Sequence, residues 1–170
     1  MTFTDYLLDL ALVAVVLLQV RGRRLTFRSL IIPIAIVVFA ATQYLHSVPT
    51  SGNDLWLVGI GVTAGTALGV LTGLFTSVRS GAQGAYAKAG VVAAILWLVG
   101  VGTRFAFQVY ASNGGGPAIE RFSAHHAITS TAAWTAALIL MAFGEVIART
   151  AVLGARGWVA GAFRPSLAEA

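Results

Sequence analysis

Five ionisable side chains stand inside otherwise apolar runs: Asp9, Arg104, His125, His126 and Glu145. Charge within a lipid-crossing segment is costly, so such residues face a bundle interior, water or the headgroup layer, and each is a candidate for function. Depth follows from the helical rise of about 1.5 Å per residue. Arg104 lies a few positions before Tyr110, His125 and His126 open the next apolar run, and Asp9 is early in the first. All four are therefore expected in one leaflet, the outer. There Arg104 either pairs with Asp9 or binds an anionic group, with a histidine titrating near neutral pH. The plainer alternative is that Arg104 snorkels to the headgroups and the histidines cap their helix. Glu145 is expected apart, near the inner end of its run and one turn before Arg149 on the same face.

His46 closes the second run on the outer side, so with His125 or His126 it offers axial ligation of haem iron. Adjacent histidines on a helix diverge by about 100° and cannot share one axial position. Zinc held by His46, Asp54, Glu120 and His125 has no ligand spacing behind it. The expectation is accordingly no cofactor and no metal. The chain contains no cysteine, which excludes disulfides, thiol relays, thiolate metal sites and a cysteine nucleophile. No histidine–carboxylate pair is spaced to activate one of the many hydroxyls, so no catalytic residue is nominated and the chain is not expected to be an enzyme. Gly59-Ile-Gly61-Val-Thr-Ala-Gly65 departs from the dinucleotide-binding fingerprint by one spacer and follows no soluble strand. Gly114 to Gly116 before Pro117 reads as a turn.

The elements that must position these residues are membrane helices. Of 170 residues, 58% are hydrophobic and 10% charged, with mean hydropathy +0.84, whereas soluble domains carry roughly 25% charged residues. A spanning helix needs about 20 mainly apolar residues, and five segments approach this: residues 3–20, 29–45, 55–76, 90–110 and 122–148. The first is short and holds Asp9, so a four-span version is the alternative. It has no positive n-region and does not read as a cleaved signal peptide. The fold class is all-α, a polytopic membrane bundle over residues 1–150. Residues 151–170 are expected to form a short basic tail, with Trp158 and Phe163 suiting an interfacial helix. Segments 46–54 and 77–88 are expected as loops.

Cations set the orientation. The first loop holds Arg21, Arg23, Arg24 and Arg28, the third Arg79 and Lys88, and the tail Arg149, Arg156 and Arg164, together nine of the eleven. The N-terminus is thus expected outside and the C-terminus in the cytoplasm of a bacterial plasma membrane. A net charge of +5 does not imply nucleic acid, because no solvated domain carries it. In the third segment Gly61, Gly65, Gly69 and Gly73 recur at every fourth position, a glycine zipper. Lipid supplies no hydrophobic drive between helices, and close backbone approach at small residues gains contact energy. This is the helix against which the others are expected to pack.

The basic loop, Arg28-Ser-Leu-Ile-Ile-Pro33 opening a span, Gly69-Val-Leu-Thr-Gly73-Leu-Phe-Thr, and Gly84-Ala-Tyr86-Ala-Lys88 before a span ending near Arg104 resemble the CcdC-like family of small bacterial membrane proteins over roughly residues 10–150. The resemblance implies four or five helices and, through the family's name, a link to cytochrome c maturation. Without cysteine the chain could not pass reducing equivalents, so such a role would be accessory. The leading expectation is a non-enzymatic accessory or assembly subunit with the bilayer and a membrane protein or another copy as partners. A small transporter or channel using the outer polar site is the alternative, and a haem or metal protein the next.

Overall fold

The structure, a computed structural model, describes residues 23–44, 49–81 and 84–160. The first apolar segment with Asp9, the residue His46 and the tail beyond Ala160 lie outside the described residues. The chain is mostly helical. Helix α1 spans Phe27–Tyr44, α2 Asp54–Leu74, α3 Val91–Tyr110, α4 Gly116–His125 and α5 Thr131–Val159. Among the described residues three stretches are long and apolar enough to cross a membrane: Asp54–Leu74, Val91–His125 and Thr131–Val159. They correspond to the third, fourth and fifth expected segments. Helix α1 corresponds to the second, with a shorter apolar run at Leu30–Phe39 and Pro33 inside it.

One expected loop is a sheet. Residues 77–81 and 84–88 fall within strands β2 (Thr76–Gly81) and β3 (Gly84–Ala89), which pair antiparallel from Thr76↔Ala89 to Gly81↔Gly84; β1 (Arg23–Arg24) adds to the far side of β3. The cause is a period-two pattern hidden among small residues. Ala85 and Ala89 are buried, and Val78 and Ala87 pack with Leu25, Leu30, Leu153 and Ala160. The Leu25 amide donates to the Ala85 carbonyl at 2.8 Å, tying the start of α1 to the sheet.

The fifth expected segment, 122–148, is also corrected. Its first residues belong to α4; the chain turns at Ala127 (φ 52°), and α5 runs from Thr131 through to Val159. The break is built by Asp54, which is fully buried. Its carboxylate accepts from the Thr129 amide and hydroxyl, both at 2.7 Å, and from the Ser130 hydroxyl at 3.3 Å. Asn53 adds its side-chain amide to the His126 carbonyl, and Ser130 caps α5 by accepting from the Ala133 amide. Gly52, at φ 54°, bridges Ile128, where a side chain would strike the Ala127 carbonyl. An acid in the first turn also suits the α2 dipole. Asp54→Ala is expected to lower the melting temperature of the detergent-solubilised protein by several degrees, more than Asn53→Ala does. Equal melting of the two variants would remove Asp54 as the organiser of this joint.

At its other end α5 displaces the expected tail: Arg149, Arg156 and Trp158 are helical. No proline interrupts the run, and Arg156 Nη1 donates towards the carbonyls of Gly73, Leu74 and Thr76 at 2.6–2.9 Å. It thereby satisfies carbonyls that the end of α2 leaves without helical partners.

Helices α2 and α5 run side by side in the same direction. A methyl group on Gly61 would lie 2.6 Å from the Ala137 carbonyl oxygen, one on Gly65 would meet that of Met141, and one on Gly69 that of Glu145. Each four-residue step on α2 is matched by a four-residue step on α5. Gly73 continues the row against Val152, and from α5 Gly144 faces Thr66 and the Val62 carbonyl. The buried hydrophobic cluster between these two helices is correspondingly made of small side chains, with Val58 beside Ala136 and Ala137.

Candidate functional site

Arg104 meets Glu145. Its Nη1 lies 2.8 Å from Glu145 Oε2, and the two side chains are 19% and 4% exposed. Helical side chains lean towards the N-terminus of their helix, so Arg104 reaches back over the preceding turn of α3. That turn carries Gly100, where a methyl group would come within 2.8 Å of Glu145 Oε2. Gly100 thus clears the space that the carboxylate fills, while Gly69 of α2 lies against the backbone of the same glutamate. Three helices converge on Glu145.

The placement of Glu145 near the inner end of its helix is corrected. Because α5 continues to Val159, Glu145 lies midway along it, about 21 Å from either end at the helical rise. Arg149, one turn on, brings a second guanidinium to the same face. Its Nε and Glu145 Oε1 are buried and have no hydrogen-bond partner among the described residues. The cluster therefore sets two cations against one acid, and the carboxylate answers to Arg104 directly.

The candidate set Asp9, Arg104, His125 and His126 is divided by the structure. Arg104 is committed to Glu145, and Asp9 lies outside the described residues. His125 and His126 end α4 and are exposed, not the opening of a spanning helix. Their rings are 5.0 Å apart, and His126 stacks on Phe122 at 4.0 Å. Phe122 in turn abuts Trp134, which stacks on Phe107 at 5.0 Å and donates from Nε1 to Ser123 Oγ. This aromatic series fastens α4 to α3 and α5. His126 Nδ1 is 2.9 Å from the Phe122 carbonyl, a contact made when Nδ1 carries the proton. A haem site with His46 falls outside the described residues. Among the described residues no group of three or more His, Asp or Glu could hold a metal ion, and both Asp54 oxygens are engaged by Thr129 and Ser130. Glu120 is exposed on α4.

Sequence reasoning did not single out Gly100 or the pairing of Arg104 with Glu145, and it named Asp54 only as a weak zinc candidate. One signal was available: Gly100 and Arg104 are four apart on α3, as Glu145 and Arg149 are on α5. Two helices with an i, i+4 polar step are able to interlock at one level.

Fold and site together define a helical protein with three membrane-length helices among the described residues, a small antiparallel sheet at one end and a buried arginine–glutamate pair. No known protein family, curated protein or solved structure matches the chain.

Proposed function

We propose that the protein is a multi-pass cell-membrane protein, N-terminus outside and C-terminus cytoplasmic, that acts without catalysing a reaction. In this reading it is an accessory or assembly subunit held against a second membrane protein or another copy of itself. The resemblance of its motifs to those of the CcdC-like family suggests a setting, cytochrome c maturation. The orientation is supported by Arg23, Arg24, Arg28, Arg79, Lys88 and Arg156 lying at one end of the helices, with Arg121 at the other.

The observation that carries the reading is the state of α3. Within it only Ala93 and Gly100 are buried, whereas Val91, Val92, Ile95, Leu98, Val99 and Phe105 stand exposed. Yet this thinly attached helix carries the cation that neutralises Glu145. A bundle that entrusts a buried charge to a helix with so few buried residues gains from a protein that holds the helix in place, since packing contacts are what lipid alone does not supply between helices. A photo-crosslinking residue at Leu98, activated in the native membrane, is expected to attach one reproducible protein, identified by mass spectrometry. The same residue at Ala67, on the exposed side of α2, is expected to attach markedly less. Lipid-only adducts at both positions would end the proposal.

A further inference from the structure

At the sheet end α1 and α3 begin and α2 and α5 finish. The strand register sets Arg79 of β2, Tyr86 of β3 and Arg24 of β1 in one row, with Ser77 and Lys88 opposed beside it. Directly opposed residues share a face, and alternate residues switch faces. Ala85 and Ala89 occupy the buried face, so Tyr86, Lys88 and Arg79 belong to the other, where Arg79 and Lys88 are exposed. Arg28, in the first turn of α1, is exposed as well. The N-terminal dipoles of α1 and α3 are matched at this end by the C-terminal dipoles of α2 and α5, so the side-chain cations set its positive charge.

Among the described residues no acid offsets it. Asp54 and Glu120 lie towards the opposite end, and Glu145 is buried midway with Arg104. Cations gathered on one face repel each other unless anions sit among them. Directly alongside, Leu74, Phe75, Trp158 and Val159 are 50–86% exposed. An apolar and aromatic rim next to a basic face matches the boundary between acyl chains and headgroups. A soluble polyanion would leave that rim in water.

We propose that the outward face of the β2–β3 hairpin binds the phosphate-bearing headgroups of anionic lipids in the leaflet where the helices end. The inference rests on the membrane reading but not on which side of the membrane the sheet occupies. Each basic residue near an anionic leaflet adds to the attraction, which salt screens within a Debye length. Arg79 and Lys88 supply exposed charge on strands whose register holds them in place.

The test uses the full chain in a mild neutral detergent, with thermal unfolding followed after adding phosphatidylglycerol, phosphatidylcholine or inorganic phosphate. Phosphatidylglycerol is expected to raise the melting temperature by several degrees more than phosphatidylcholine. Arg79→Gln/Lys88→Gln should lose at least half of that difference, and Arg121→Gln at the opposite end should keep it. For the unaltered protein the difference should also shrink as salt rises from about 0.1 to about 1 M, a readout that stands even where the double variant does not fold. Equal shifts from the two lipids, an undiminished shift in the folded double variant, or the same shift from inorganic phosphate would overturn the proposal. A chain that stays monodisperse without detergent and responds to neither lipid would instead strike the membrane reading itself.

Discussion

Leucine at Gly65 is expected to separate α2 from α5 and to cost the protein more stability than any single change on the exposed side of α2. Gly65 is buried, and even a methyl group there would meet the Met141 carbonyl, its carbon and its Cα together. All three are backbone, so no rotamer change relieves the clash and the helix axes must move apart. Movement at Gly65 also lifts Gly61 from Ala137 and Gly69 from Glu145, because the row is continuous. Overpacking a filled core costs roughly 1–3 kcal/mol and occasionally more, and the rigid backbone opposite puts Gly65→Leu at or above the top of that range. Close glycine contacts also carry weak Cα–H···O bonds of about 0.5–1 kcal/mol each, which the same movement forfeits. Gly65→Ala should fall between Gly65→Leu and the unaltered protein. Ala67→Leu, directed away from α5, should melt within a degree or two of the unaltered protein. Thermal unfolding in detergent decides the matter, and equal losses at positions 65 and 67 would refute the α2–α5 contact as the main source of stability.

The helical, apolar character of the chain was legible from composition, because 10% charged residues leaves too little polar surface for a water-soluble bundle. The hairpin was not. Val78, Ala85, Ala87 and Ala89 alternate with polar or small residues too weakly to be told from a loop, and β1 contributes only two residues from far upstream. The helix break before Thr131 was hidden for a related reason: its determinant, Asp54, lies 75 residues from Thr129 in sequence. Depth along α5 was misjudged because its end depends on Arg156 reaching the α2 terminus, a tertiary contact that helical periodicity does not register. Arg104 could be singled out from sequence alone, since a cation in an apolar run is conspicuous. Its partner could not, because the estimate of Glu145 depth inherited the error in the helix boundary.

Removing Glu145 alone is expected to be among the most damaging changes in the protein, and removing its partner with it is expected to repair much of the loss. Glu145→Met leaves Arg104, 19% exposed, and the nearby Arg149 without an acid on their face. Breaking a buried ion pair by deleting one member typically costs about 3–5 kcal/mol, chiefly because the other charge is stranded. Partial access of Arg104 to the surface places the expected loss at the lower end, about 3 kcal/mol. The space that Gly100 leaves for the carboxylate is narrow, but the flexible methionine side chain fits it better than a branched one. In Arg104→Met/Glu145→Met the stranded charge at α3 is gone, and replacing a buried pair with apolar groups of similar volume is often neutral or stabilising. Recovery should stay incomplete, since Arg149 still faces the site one turn away without the carboxylate. A triple variant that adds Arg149→Met separates that residual. Should the double variant be no more stable than Glu145→Met alone, the two residues do not act as a pair, and Glu145 must serve the bundle through packing against Gly69 and Gly100.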